Sequence, residues 1–363
     1  MTGDLSRRRV LAAAAAWPLA ACAGRAPGDA PLGPPDSATR LTRVAFGSCA
    51  DQNRPQPIWE AVLNYRPELF VFAGDNVYGD SKTEELRELK LAYAQAEALP
   101  GYSRLRRTVP HVAIWDDHDY GENDAGVEYA HKDASQRLFL DFWRVPAGDP
   151  RRARGGLYHA WTFGPPGQRL QLILLDTRYF RSPLKPTDRR NAPGRERYVP
   201  DFDPAKTMLG ETQWRWLAER FAEPADLRLV VSSVQLVVEG HGWERWGNFP
   251  LERARFYRLV RDANANGVIV LSGDRHLGAI YRETEGVAYP LLEVTSSGIS
   301  RHFANSREPG PNRLGEVYAE ANFGTIDIDW AARSVVLALR DLNANAVRRF
   351  DVELDALRVR SFA

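Results

Sequence analysis

The sequence predicts an α/β fold in a single domain. Short apolar runs of strand length end repeatedly on Gly-Asp or another acidic residue. In the first third these runs alternate with polar loops and helical patterns, and the last third is mostly strand. No internal repeat and no second domain is visible. The run Glu68–Ala73, stopped by Gly74-Asp75, reads as a buried strand with Asp75 just past its carboxyl end, where open α/β sheets hold ligands.

The elements follow in order. Residues 41–46 make a first strand, ending at Gly47-Ser48-Cys49-Ala50-Asp51. Helical spacing over 58–65 leads into the Asp75 strand, and a charged Ala/Leu-rich helix covers 82–99. A third strand, 111–115, runs into Asp116-Asp117-His118-Asp119. After a helix at 134–143, strands 156–163 and 170–175 flank the Gly164-Pro165-Pro166-Gly167 turn. Residues 181–208 show no periodicity and read as a long loop. Helix 210–221, strand 229–233, helix 251–264 and strand 268–272 come next, then Gly273-Asp274-Arg275-His276. Four further strands complete the chain, at 279–283, 291–295, 323–329 and 335–342.

With 44% hydrophobic and 26% charged residues, the 363-residue chain has ample core. A net charge of +1 excludes a uniform basic field, so no nucleic-acid reader is expected and any attraction for anions is local. A monomer is expected. At the N-terminus, Arg7-Arg8-Arg9-Val10-Leu11 precedes a short apolar stretch ending Leu19-Ala20-Ala21-Cys22. This reads as a signal over residues 1–22, too short to span a bilayer. The arginines resemble a twin-arginine export signal, and Cys22 stands where a lipoprotein is acylated. Export to the periplasm or cell envelope, with a membrane tether through Cys22, is the expectation. Residues 23–40, rich in Pro and Gly, read as a flexible tether, and 41–363 as the folded domain. Cys49 is left without a disulfide partner.

Four strand-end loops carry the chemistry: Cys49, Asp75 with Tyr78, Asp116 to Asn123, and Asp274 with His276. If their strands share a sheet, the loops meet at one edge. Thiolate, carboxylate, phenolate, amide and imidazole together suit a trivalent iron beside a calcium-type or other divalent ion. The tight Cys/His pairs of a structural zinc are absent. Two adjacent metals with an open edge suit hydrolysis of phosphate esters. Asp75 is the candidate bridging carboxylate, and His118 the candidate group for transition-state oxygens or the leaving group.

Gly74-Asp75-Asn76-Val77-Tyr78, Trp115-Asp116-Asp117-His118-Asp119 with Asn123, and Gly273-Asp274-Arg275-His276 resemble the calcineurin-like metallophosphoesterases. Ser48-Cys49, Leu175-Asp176-Thr177-Arg178 and Ser232-Ser233-Val234-Gln235 narrow the resemblance to the PhoD-like alkaline phosphatases and phosphodiesterases, over about Val44 to Ser300. It implies a β-sandwich flanked by helices (αββα). It also implies Fe(III) held by Cys49, Asp75, Tyr78 and His276, with Asp117, Asn123 and Asp274 contributing to one or two Ca²⁺ or other divalent ions. The direct ligand among Asp116, Asp117 and Asn123 stays open. Carboxylates where the broader superfamily has Gly-Asn-His and Gly-His-x-His favour a harder metal at the second position.

The activity so implied is hydrolysis of phosphomonoesters or phosphodiesters by attack of metal-bound hydroxide, with His118 and Asp75 as catalytic groups. Arg178 would fork onto phosphate, or else form a structural salt bridge. Gln235 and His241 are weaker site candidates. Two other readings remain: a phospholipase-like diesterase, with Trp243 and Trp246 against a lipid tail, and a non-catalytic metal- or ligand-binding envelope lipoprotein.

Overall fold

Two six-stranded sheets pack face to face, each built around a parallel core of short, buried and mostly apolar strands. The computed structural model describes residues 33–304 and 306–359. The expected signal, Cys22 and most of the expected tether lie outside the described residues.

The first sheet contains β1 (Arg43–Gly47), β2 (Leu69–Ala73), β3 (His111–Ile114), β10 (Phe323–Asp329), β11 (Ser334–Arg340) and β12 (Ala346–Glu353), in the order β12-β11-β10-β1-β2-β3. The second contains β4 (His159–Phe163), β5 (Leu170–Leu175), β6 (Leu227–Ser232), β7 (Val268–Ser272), β8 (Gly278–Glu283) and β9 (Leu291–Ser296), in the order β4-β5-β6-β7-β9-β8. Strands β1, β2 and β3 are parallel, as are β5, β6, β7 and β9. The sheets meet where β9 faces β10 and β11, and where β3 faces β5.

Helices cover the outer faces. α1 (Ile58–Tyr65) and α3 (Pro100–Thr108) place Trp59 and Tyr102 against Phe70 and Phe72 of β2, with α2 (Arg87–Ala98) packed on α3. α4 (Asp117–Tyr120) is a single turn, and α5 (Lys132–Phe142) supplies Phe139 against Trp115. On the second sheet, α6 (Gly210–Ala222) and α7 (Pro250–Asp262) interlock through Phe221 and Phe256, with Trp214 edge-on to Trp246. The expected αββα architecture is present.

Three features depart from the sequence reading. The site strands do not share one sheet: β1, β2 and β3 belong to the first and β7 to the second. The helix expected over 82–99 starts later and is followed by α3, because Pro100 stands at the first position of a new helix, where its missing N–H costs nothing. An additional edge strand, β12, closes the first sheet; its Arg-rich exposed face had masked the alternation.

His111, at the start of β3, is buried between Phe72 and Trp143, with Nδ1 3.0 Å from the Val109 carbonyl. Burial pulls its pKa down to about 4. Since the unfolded imidazole titrates near 6.5, its contribution to stability is complete above that value and is lost as pH falls toward 4. The expected loss is about 3 kcal/mol. His111→Asn, which retains a side-chain N–H donor, should flatten the fall in melting temperature between pH 7 and 4.5. An unchanged slope would refute this assignment.

Candidate metal centre

The parallel strands of both sheets end at a common edge. Gly47 is in register with Phe72 and Ala73 with Ile114, while Leu175 pairs with Ser232 and Ser232 with Ser272. The loops that follow leave the strands in an unusual backbone conformation. Cys49 (φ 62°), Asp75 (49°), Asp274 (66°) and His276 (56°) all lie in the left-handed region. Each costs roughly 1–2 kcal/mol in a residue with a Cβ. Such strain, concentrated in four ligand candidates, marks a functional site. Gly74 (φ 106°) lets the loops close up: a Cβ there would lie 2.7 Å from Asp116 Cβ and 2.9 Å from Ser233 Cβ.

Three clusters bring ligand atoms within 4.8 Å of one another: Cys49, Asp75 and His276; Asp75, Asp117 and His118; Asp116, Asp117 and Asp274. Asp75 belongs to the first two and Asp117 to the last two, so the clusters form a continuous row. Asp75 Oδ2 accepts hydrogen bonds from Cys49 Sγ (3.3 Å) and Tyr78 OH (2.9 Å), and its Oδ1 accepts from the His118 amide (3.3 Å). The Tyr78 hydroxyl also lies 3.2 Å from His276 Nε2. The sequence-predicted donors Cys49, Asp75, Tyr78, Asp117, Asp274 and His276 therefore converge.

The electrostatics fit a cation. Burial raises the pKa of Asp75, as does Asp117; burial also raises that of Asp274, with Asp116 and Asp117 adding to it. Burial, then the Asp75 carboxylate, holds the Cys49 thiol well above its ordinary value. A metal ion would invert these shifts. Burial and the neighbouring Arg275 and Arg301 pull His276 down to about 3, leaving the neutral imidazole that a ligand must be. Asp116 Oδ2 is buried without any hydrogen-bond partner, an acceptor oriented for something the protein does not supply. Asp116 thus joins Asp117 as a ligand candidate.

His118 is the cationic member of the centre. Burial opposes its charge, but Asp117, Asp75 and Asp80 prevail and lift its pKa to about 10. Its Nδ1 lies 2.7 Å from Asp80 Oδ1 and its ring lies against Tyr78, tilted, with centroids 4.3 Å apart. Asp80 was missed in the sequence because a half-exposed acid in a polar loop carries no local signal. Asn123 is exposed and lines the same cavity as Asp117.

Arg178 requires a correction. It is wholly buried and is not among the cavity-lining residues. Its Nε donates to Asp116 Oδ1 (2.6 Å) and its Nη1 to Glu244 Oε2 (2.7 Å), so the structural salt bridge is the arrangement found. Gln235 and His241 bond to each other at 3.1 Å, and Gln235 also donates to Thr295. Trp246 is a core residue, its Nε1 donating to Ser232 Oγ. Glu244, too, escaped the sequence reading, since it lies in an irregular loop between two Trp residues.

A cavity of about 430 Å³ opens over the centre, with Asp75, Asp117, His118, Asp274 and His276 on its inner wall. Glu196 and Arg197 from the long 181–208 loop form part of its rim. That loop is ordered by its own backbone bonds, by Tyr198 N to the Gly242 carbonyl (2.8 Å), and by Arg197 Nη1 and Tyr198 OH on Asp124 Oδ2 (both 2.8 Å). Two guanidinium groups approach the Trp243 ring, Arg197 at 5.0 Å and Arg275 at 5.1 Å.

Alkaline phosphatase D of Bacillus subtilis (strain 168) is 23% identical over 242 residues, 59% of this chain and 40% of that protein. A probable inactive purple acid phosphatase 14 of Arabidopsis thaliana is 30% identical over 80 residues, 22% of this chain and 18% of the relative. The alignments thus span less than half of these relatives. Among solved structures, that of PhoD superposes with a TM-score of 0.69 at 16% identity, covering 92% of this chain and 73% of the other. A purple acid phosphatase from yellow lupin seeds gives 0.55 at 11% identity, covering 91% and 58%. GAP50 of Plasmodium, described as an anchor in the inner membrane complex, gives 0.55 at 14% identity, covering 89% and 90%. These structural likenesses establish the metallophosphoesterase-type fold. A family model described as PhoD-like phosphatase matches residues 44–322, most of the chain and all four site loops, and the chain belongs to that family.

Proposed function

We propose that this protein is a metal-dependent phosphoesterase acting on phosphomonoesters or phosphodiesters. The observation that carries the reading is the continuous row of buried ligand clusters sharing Asp75 and Asp117, with His118 at its side. Cys49, Tyr78, His276 and Asp75 would hold a trivalent iron; Asp75, Asp117, Asp116 and Asp274 would hold calcium or another divalent ion. Bound ions would supply an activated water and neutralise phosphoryl charge. The protein's own groups do the rest. The Asp80 carboxylate orients the His118 ring, and His118 Nε2, which has no partner among the described residues, is available to donate a proton to the leaving-group oxygen. The strained loops hold the acidic row in place before substrate arrives.

Trp243 on the cavity wall and the exposed Phe303 leave room for an ester with an apolar group, which favours a lipid-headgroup diester as second reading. A non-catalytic role would not need the intact Asp80–His118 pair. Export by the twin-arginine route, an anchor at Cys22 and a monomeric state belong to the same proposal. No helix among the described residues is long and apolar enough to cross a membrane.

The test is the metal content of the purified protein, with turnover of paired chromogenic mono- and diesters. About one iron per chain, a divalent ion, and turnover abolished by chelator are expected. A metal-free protein, or turnover indifferent to chelation, would sink the reading.

A further inference from the structure

Behind the acidic row lies a buried chain of alternating charge. Asp116, Arg178, Glu244 and Arg181 follow one another, each side chain 0–1% exposed. Arg178 Nε donates to Asp116 Oδ1, where Ser233 Oγ also donates at 2.8 Å. Arg178 Nη1 donates to Glu244 Oε2, and Arg181 Nε lies 3.0 Å from Glu244 Oε1. Asp116 Oδ2 is left buried and unpartnered. Glu244 also lines the cavity, together with Asp117 and Asp274.

A guanidinium paired with Asp116 alone would neutralise it and weaken its hold on a cation. Glu244, on the other edge of the same guanidinium, offsets that positive charge, and Arg181 in turn balances Glu244. We propose that Glu244 is a positioning residue for a divalent cation at Asp116, Asp117 and Asp274: it keeps Arg178 fixed on Asp116 Oδ1 while preserving the negative field that Oδ2 presents. The inference rests on the reading of this row as a metal centre. Groups that orient a ligand from behind typically affect metal affinity by about 10- to 100-fold.

The test titrates calcium into the full chain by calorimetry, for wild type, Glu244→Gln and Arg181→Gln. Glu244→Gln should weaken binding by roughly 10- to 100-fold. Arg181→Gln, which leaves Glu244 uncompensated, should tighten binding or leave it unchanged. A purely structural role would instead weaken both variants alike, in step with their melting temperatures, and that result overturns the proposal, as does an unchanged affinity in Glu244→Gln. Should Glu244→Gln fail to fold, weaker calcium binding in folded Arg181→Gln would suffice to reject it. Absence of calcium binding by wild type would reject the divalent site itself, and this inference with it, a result distinct from wild type binding normally while the variants do not differ.

Discussion

His118→Asn should lower kcat on a phosphate ester by about 10²- to 10⁴-fold while leaving bound metal and fold unchanged. His118 is held through its backbone and its ring. Its backbone N–H bonds Asp75 and Asp117, Nδ1 meets Asp80, and the ring lies on Tyr78. Asn keeps the backbone bonds but places no proton donor where Nε2 stands. The loss should shrink on esters whose leaving group is already a good one, such as nitrophenolate, because protonation of that oxygen then matters less. A uniform loss across leaving groups would argue against proton donation and for stabilisation of phosphoryl oxygens. Loss of metal from the variant would make His118 a ligand instead, an assignment that its place in the middle cluster permits.

Arg178→Met should destabilise the protein by about 3–5 kcal/mol, with a fall in melting temperature on the order of 10 °C. The substitution removes the guanidinium shared by two buried carboxylates, Asp116 and Glu244, leaving Asp116 with the Ser233 hydroxyl and Glu244 with Arg181. Burial already pushes their pKa values up, to about 6 for Asp116 and about 7 for Glu244, even with Arg178 in place. Without it both would titrate higher. Stability of the variant should therefore fall further as pH rises and the carboxylates are forced to ionise. Melting curves at pH 6 and 8 would check this: a loss below 1 kcal/mol, or one independent of pH, would contradict the buried-pair account.

Much of the site was legible in the sequence for a simple reason. A strand of five buried residues such as Leu69–Ala73 leaves an unmistakable apolar run, and the Gly-Asp that stops it falls at the strand's end. The same logic located Cys49, Asp116, Asp274 and His276. What one chain's pattern cannot express is which sheet a strand joins, because parallel pairing is decided by long-range packing; hence β7 was grouped with β1 to β3. The position of Arg178 after a strand end is compatible with a fork onto phosphate or with a structural salt bridge, and what decides between them is Glu244, sixty-six residues away. Asp80 and Glu244 act through partners distant in sequence and have no periodic context. The N-terminal reading rests on residues outside those described.

The division of ligands between the sheets has a consequence for the order in which the molecule is made. Cys49, Asp75 and Asp117 follow strands early in the chain, whereas Asp274 and His276 follow β7. A nascent chain that has released only its first half holds an incomplete set of donors on one unfinished sheet, with β10 still missing from beside β1. Completing the first and third clusters would thus be a late event, set by long-range closure, whereas Asp75, Asp117 and His118 all follow strands of the first sheet. An ion held by those two clusters would be a seal applied to a finished seam, not a template around which the chain first collapses.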